Sequence, residues 1–432
     1  MDVPRIDMSG EEPDRPAHPG TFQSSKQEKR SLSPARVTVD FPVCVVLPAG
    51  GSGERTGLQT PKQFCMLLGR PLISYTIQAF ESISWIRKVV VVVAEEKADM
   101  MANIVQHYRH VKVHVEPGGS TRHRSIRNGV MSLVGEEEKD KMVVIIHDAV
   151  RPFVEEHFLY RIATAAREHG ASGAIRPLVS TVIATTSDGF LDHSLERAKY
   201  RASEMPQAFK YNIIHRAYQK CKQTDYDFGT ECLHLVLEYC GTKAKLIEGP
   251  PTLWKVTYKR DLAAAESVIK ETLSRSTCVI TGGCPFAGML ANSFQEDLEM
   301  ELDIIPDLTG NNIAYLLKVY NVIQFSLNGF DLDQVEEIFA AIQVSNQTLF
   351  HTVVVIVVCL GILDGRSAER AAFAELASAA KLQNIFLYGV HVDVDLSKGA
   401  ETRVESLSKV ASLMSALIRD RSVAFVGQVL QA

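Results

Sequence analysis

Apolar positions in this chain fall into short unbroken runs separated by stretches of helical periodicity. Val43–Leu47, Lys88–Ala94, Val111–Glu116 and Met142–His147 are rich in Val and Ile and read as strands. Runs that are apolar on both faces belong to a parallel sheet with helices on each side. Between them, Leu72–Ser82, Ala98–His107, Thr121–Leu133 and His157–His169 read as helices, and Gly173–Pro177 begins a further strand. Such alternation predicts an α/β fold in which ligands bind outside the carboxyl ends of the strands.

The pattern breaks and then resumes. After the helical stretch Leu262–Ile269, the polar segment Glu271–Thr277 marks a boundary. A second series follows: a short strand from Cys278, helices Ile313–Tyr320 and Leu332–Ile342, strand Val353–Leu363, helix Glu369–Lys381, strand Ile385–Val394 and helix Val404–Arg419. Three regions are therefore expected: residues 1–40 as a disordered leader rich in Pro, Ser and charge, residues 41–275 as a first α/β domain, and residues 276–432 as a second.

Composition narrows the function classes. A net charge of −5 over 432 residues argues against a nucleic-acid binder that works through bulk electrostatics. The 8 cysteines include no Cys-x-x-Cys pair, so neither a zinc ribbon nor a thioredoxin-type site is indicated. Several lie in apolar runs, as thiols in a reducing compartment do. The opening Met-Asp-Val-Pro-Arg-Ile-Asp has no signal-peptide core, and Val353–Leu363 is too short to span a bilayer. The expectation is a cytosolic protein with no membrane and no nucleic-acid partner.

Two loops at predicted strand ends carry candidate chemistry. Leu47-Pro-Ala-Gly-Gly-Ser-Gly-Glu-Arg55 places Gly50, Gly51 and Gly53 directly after the first strand. Glycine lets backbone N–H groups approach an anion closely, and Arg55 and Lys62 add fixed positive charge. A nucleoside triphosphate suits such a loop; a tight turn with two surface cations is the plainer reading. The second loop, His147-Asp-Ala-Val-Arg-Pro152, ends a buried strand. Asp148 there suits Mg²⁺, which prefers oxygen donors and bridges phosphates, and Arg151 offers a fork to a phosphate. Asp148 is alternatively a helix cap or an internal partner of Arg151.

Two further segments are less specific. In Glu116-Pro-Gly-Gly-Ser-Thr-Arg-His-Arg-Ser125, glycines and hydroxyls either read the edge of a base or cap the helix from Thr121. Lys255 sits in the strand-like Leu253–Thr257, where it either meets an anion or faces solvent.

Taken in order, Leu47–Arg55, Pro61-Lys-Gln63, Gly118-Gly119 through Arg122 and Ser125, His147–Pro152, Met205-Pro-Gln-Ala-Phe209, Leu237–Gly241 and Lys255-Val-Thr257 form a set. The set resembles the cytidylyltransferases that make CDP-methylerythritol in isoprenoid synthesis, over roughly Phe41 to Ile269. The resemblance implies a Rossmann-like nucleotidyltransferase domain with a parallel-rich sheet and an extended dimerisation arm, joined here to a second Rossmann-like α/β domain. It implies Mg²⁺-dependent transfer of CMP from CTP to a polyol phosphate. By the same resemblance Arg55, Lys62 and Lys255 would be catalytic. Pro48, Ala49, Gly50, Gly51, Gly53, Gly119, Ser120 and Ser125 would bind the nucleotide, and Asp148 would hold Mg²⁺. Arg151, Thr181 and Arg197 would hold the acceptor phosphate, the last two from an arm around residues 178–205 exchanged across a homodimer.

The chain departs from the bacterial pattern at Thr252, which removes a second metal-contacting carboxylate, and at two places on the acceptor side. Thr252 stands where the family usually has Asp, Met205 where it has Thr, and Thr230-Glu-Cys-Leu233 where it has Thr-Asp-Glu. With the leader and the extra domain, these changes resemble a eukaryotic branch whose acceptor is a pentitol phosphate rather than methylerythritol phosphate. In the second domain, Thr281–Gly288 is loosely similar to the cofactor loop of short-chain dehydrogenases. No Tyr-x-x-x-Lys pair accompanies it, so that domain is expected to be non-catalytic.

Overall fold

Period-two alternation places the central strand of the first sheet between two cores. In β1 (Val43–Pro48), Val43, Val45 and Leu47 enter one hydrophobic cluster and Cys44 and Val46 the opposite one. The computed structural model describes residues 37–51, 60–229, 231–283, 287–288, 300–327, 329–345, 347–361, 367–392 and 400–432. A hairpin of β2 (Met66–Leu67) and β3 (Arg70–Pro71) precedes α1 (Leu72–Glu81) and β4 (Ile86–Val93). Then follow α2 (Ala98–His107), β5 (Val113–Pro117), α3 (Arg122–Met131), β6 (Val143–Ile146), α4 (Glu156–His169) and β7 (Ala171–Pro177). The short hairpin β8 (Ile183–Thr185) and β9 (Leu191–Ser194) forms an arm. Strand β10 (Arg201–Lys210), helices α5 (Tyr211–Lys220), α6 (Gln223–Phe228) and α7 (Cys232–Cys240), and β11 (Lys245–Glu248) complete the region.

The resulting seven-stranded sheet has the order β11-β7-β10-β6-β1-β4-β5, with β10 antiparallel to both of its neighbours. The remaining pairs are parallel, as expected from fully apolar strands linked by helices. Helix α3 lies close to the sheet because Gly129 leaves room: a Cβ there would meet Val46 Cγ1 at 2.6 Å and Val92 Cγ2 at 2.8 Å. That approach fixes where the N-terminus of α3 points.

Helix α8 (Lys259–Ser274) leads to a second sheet whose strands are shared with none of the first. Its elements are β12 (Ser276–Ile280), β13 (Glu301–Ile305), α9 (Ile313–Leu316), β14 (Asn321–Leu327), α10 (Leu332–Val344), β15 (Val353–Leu360), α11 (Ser367–Leu382), β16 (Ile385–Val392), α12 (Ala400–Asp420) and β17 (Val429–Gln431). The six strands run in the order β13-β12-β14-β15-β16-β17, and every pair is parallel. Thr38–Ala432 forms one compact unit, so contacts between the two sheets are part of a single body.

One expectation from the pattern changes here. The helix expected over Ile313–Tyr320 stops at Leu316, and β14 begins at Asn321. Gln324 and Ser326 break the apolar run of β14, yet both are buried and hydrogen-bonded, Gln324 to Gln334 and Ser326 to the Gly329 carbonyl at 2.6 Å. Edge strand β13 is half exposed and lacks the continuous apolar signature of a central strand.

Candidate active site

A cavity of about 520 Å³ opens where β1 and β6 end, within the usual size of a small-ligand site. One wall is the segment Pro48–Gly51. Its shape is held by Gln63, whose Nε2 donates to the carbonyls of Ala49 at 2.6 Å and Gly51 at 3.0 Å. Gln63 belongs to a 3₁₀ turn, Lys62–Phe64, so the same turn that fixes the glycine segment sets Lys62 on the cavity wall. Gly53 and Arg55 lie outside the described residues.

The opposite wall is the N-terminal approach to α3. Ser125 Oγ accepts from the Gly119 amide at 3.1 Å, and Gly118 N–H donates to the Val93 carbonyl at 2.6 Å. The turn requires glycine at 119, where a Cβ would meet Arg124 Cβ at 2.3 Å. Thr121 caps α3, accepting from the Arg124 amide, and donates to the Tyr226 carbonyl at 2.5 Å. Capping and cavity lining thus coexist: Thr121 caps, while Gly119, Ser120 and Ser125 line the cavity.

Between the walls sits a charge cluster centred on Asp148. Its Oδ1 accepts from Arg122 at 2.8 Å, and its Oδ2 from Arg151 at 3.1 Å and Lys255 at 3.0 Å. Burial would raise the Asp148 pKa, but the three cations together outweigh it and hold the carboxyl well below its usual range. Desolvation lowers the Arg122 pKa, but Asp148 together with Cys232, Tyr218 and Glu231 outweighs it, and the pKa is raised. Arg151 lies behind the carboxylate and also donates to Glu204 and the Leu253 carbonyl. Beneath it His147 is fully buried, bonded to the Arg151 carbonyl at 2.9 Å, and kept neutral by burial, with its pKa lowered to about 4.

Lys255 is not on a strand. A 3₁₀ turn, Pro251–Leu253, leads into an irregular stretch fixed by Val256 N–H donating to the Val150 carbonyl at 3.1 Å. That bond, with Arg151 on the Leu253 carbonyl and Thr257 N–H on Asp261 Oδ2, holds the stretch that presents Lys255 to Asp148. Thr252, where a carboxylate was expected, donates to Glu155 Oε1 at 3.2 Å and is not part of the cavity lining.

The expected residues are therefore divided. Pro48, Ala49, Gly50, Gly51, Lys62, Gly119, Ser120, Ser125, Asp148 and Lys255 converge on one cavity. Arg151 touches its charge cluster from behind. Thr181 and Arg197 do not reach it; they are exposed on the arm, where Arg197 donates to the Val179 carbonyl at 3.2 Å. Arg122 and Gln63 also line this cavity, although within the motifs neither residue type nor spacing marks them. Among the described residues no three His, Cys, Asp or Glu side chains cluster as a closed metal site. Asp148 suits an ion that arrives on a triphosphate: Mg²⁺ takes one or two carboxylates plus phosphate oxygens, and Oδ1 carries one partner where it can accept two.

The second sheet shows less chemistry. Gly282 and Gly283 adopt φ of +59° and +72° after β12, and Cys284–Phe286 lie outside the described residues. Tyr388 is fully buried and donates to the Ser422 carbonyl at 3.0 Å, which removes it as an acid for a bound carbonyl. Among the described residues no helix is long and apolar enough to cross a membrane.

Comparison with known proteins gives the relatives of this chain. The family model for 2-C-methyl-D-erythritol 4-phosphate cytidylyltransferase (IspD) matches residues 43–271. The chain is 46% identical to the D-ribitol-5-phosphate cytidylyltransferase of Xenopus tropicalis, over 90% of this chain and 97% of that protein. It is 42% identical to the protein of the same name in Homo sapiens, over 97% and 98%. A 2-C-methyl-D-erythritol 4-phosphate cytidylyltransferase of Syntrophus aciditrophicus is 37% identical over 98% of its own length but 54% of this chain.

Proposed function

The chain belongs to the 2-C-methyl-D-erythritol 4-phosphate cytidylyltransferase family and is a nucleotidyltransferase, and from that premise we propose that it transfers CMP from CTP to D-ribitol 5-phosphate. The products would be CDP-ribitol and pyrophosphate. The observation that carries this reading is one cavity lined by Lys62, by the Arg122–Asp148–Lys255 cluster and by a backbone cradle. The acceptor follows the relatives that align with both halves of the chain, which are named for ribitol phosphate.

The chemistry asks little covalent work of the protein. The acceptor phosphate is already ionised at neutral pH, so an in-line attack on the α-phosphorus needs no general base. Rate comes from positioning and from charge placed where negative charge develops. Lys62, with Arg55, would neutralise the departing pyrophosphate, and Lys255 would hold the α-phosphate. Mg²⁺ bound through Asp148 would supply further neutralisation of phosphate oxygens. Gly119, Ser120 and Ser125 would receive cytosine and ribose.

Acceptor binding would be completed by a second copy of the chain. The arm exposes Val179, Ile183, Phe190 and Leu191 at 90%, 51%, 73% and 65%, and exposed apolar surface of this kind suits a protein partner. Thr181 and Arg197 ride on that arm and would join the partner's Arg151 at the acceptor phosphate. The seven described cysteines are all free thiols, in keeping with a cytosolic enzyme. CDP-ribitol made there would supply ribitol phosphate for the O-mannosyl glycans of α-dystroglycan.

The test is to incubate the full chain with CTP and Mg²⁺ and, separately, ribitol 5-phosphate, ribulose 5-phosphate or methylerythritol 4-phosphate, identifying products by mass. CDP-ribitol as the fastest product is expected. CDP-methylerythritol as the dominant product would overturn the acceptor, and Lys62→Ala at wild-type turnover would overturn the site.

A further inference from the structure

The second half shares a charged cavity with α8, lined by Glu266, Lys270, Arg275 and Arg419, and it also packs on the framework of the site around one buried cation. Arg70 on β3 is 1% exposed, and none of the described carboxylates forms an ion pair with it. Its guanidinium donates instead to Ser74 Oγ at 2.9 Å, the Ser74 carbonyl at 2.6 Å and Gln78 Oε1 at 2.5 Å. Three rings cover it: Tyr75 at 4.5 Å, Tyr108 at 5.3 Å and Phe350 at 4.8 Å. Phe350 is supplied by the loop between α10 and β15, from the second half of the molecule. Beside it His351 packs on Tyr75 with ring centroids 5.5 Å apart and edge-on against Tyr320 at 5.0 Å.

What Arg70 and Tyr75 hold is the framework of the cavity. Leu72 N–H donates to the Cys65 carbonyl at 2.9 Å, immediately after the Lys62–Phe64 turn. Tyr75 OH donates to the Leu67 carbonyl at 2.8 Å. Thr76 Oγ1 donates to the carbonyl of Ala149 at 2.9 Å, the residue after Asp148. Helix α1 therefore ties together the two loops that bear Lys62 and Asp148, and its start is clamped from outside by Phe350 and His351.

We infer that the Gln347–His351 turn braces the active site, with Phe350 and His351 as positioning residues that act through Arg70 and Tyr75 on Lys62 and Asp148. This gives the second α/β half a role in the reaction without a substrate of its own. It rests on the proposed role of Lys62 at the triphosphate. A shift of about 1 Å in such a group costs up to about 10²-fold in rate, so a partial loosening is expected to cost about tenfold.

The experiment compares kcat and KM for CTP, with thermal midpoints, in Phe350→Ala, Phe350→Tyr, Phe373→Ala and Lys62→Ala. Phe373 is fully buried inside the second core, where it packs on Phe330, and serves as a control for lost stability alone. Phe350→Ala is expected to lower kcat/KM for CTP about tenfold and Phe350→Tyr to restore it, while Phe373→Ala stays within about twofold. A folded Phe350→Ala with wild-type kcat/KM, or an equal loss in Phe373→Ala, would refute the brace. If Phe350→Ala fails to fold, Phe350→Leu, which keeps apolar volume but loses the ring face, is read by the same comparison. Wild-type activity in Lys62→Ala would strike the site reading instead, so the two failures are separable.

Discussion

Two of the buried guanidinium clusters in the molecule are treated in opposite ways. Around Asp148, Arg122, Arg151 and the ammonium of Lys255 share one carboxylate, and the Arg122 pKa is raised. Around Arg70 the partners are neutral oxygens and ring faces, and burial lowers its pKa to about 10, leaving it cationic at neutral pH. A cluster with three cations facing one shared carboxylate can exchange that carboxylate for phosphate at little cost. A cation wrapped in rings has no such alternative. The first arrangement suits a site and the second a hinge pin.

The largest expected effect tests the exchangeable cluster. Lys255→Ala should lower turnover about 10²-fold or more, the scale for removing one preorganised charge donor. Its fold should survive, because Lys255 remains partly exposed and Asp148 keeps two arginine partners. Steady-state rates beside a thermal melt would check this. A variant that lost stability in proportion to activity would make the two clusters alike and erase the contrast.

Arg70→Ala should invert that outcome. Removing a fully buried side chain that packs on three rings leaves a cavity and unpaired acceptors, costing about 3 kcal/mol of stability. Activity per folded molecule should fall less than in Lys255→Ala. Denaturant unfolding gives the first quantity and active-site-normalised rates the second. Full stability in this variant would show that the rings alone hold the hairpin.

The two clusters also differ in how far they were legible in the chain. Asp148 stands at the plain end of an apolar run, so the α/β pattern carried it to the carboxyl end of a strand, whereas Lys62 and Lys255 joined it only through the resemblance, Lys255 lying on an irregular stretch and not the expected strand. Arg122 and Gln63 act through tertiary partners, Asp148 in one case and the Ala49 and Gly51 carbonyls in the other, and no local spacing encodes such partners. Arg70 sits in the short Leu67-Leu-Gly-Arg-Pro71, where no periodicity distinguishes a buried arginine from a turn residue on the surface. Its burial depends on Phe350, 280 positions further along the chain in the sequence numbering. Strand β14 was hidden by the same cause: Gln324 and Ser326 look like surface positions until their hydrogen-bond partners are in place.

Acid separates the clusters with the smallest effect. Asp148 stays ionised and Arg122 protonated far outside the neutral range, so the charge cluster keeps its state between pH 7 and 5. The Arg70 cluster contains His351, whose pKa burial, aided by Arg70 and Arg421, lowers to about 3. In the unfolded chain a histidine takes up a proton near pH 6.5, so between that value and about 3 the unfolded state binds more protons and stability falls as the pH falls. From pH 7 to pH 5 this amounts to about 2 kcal/mol from His351. His123 and His147, both lowered to about 4, add slopes of the same sign. His351→Phe should therefore lose about 2 kcal/mol less than the wild type over that interval, measured by denaturant unfolding at each pH. The remaining slope includes His123, His147 and His215, whose pKa values burial also lowers. An unchanged pH dependence would mean that His351 charges without opening the interface, and the contrast between an exchangeable and a locked cation would then rest on Arg70 alone.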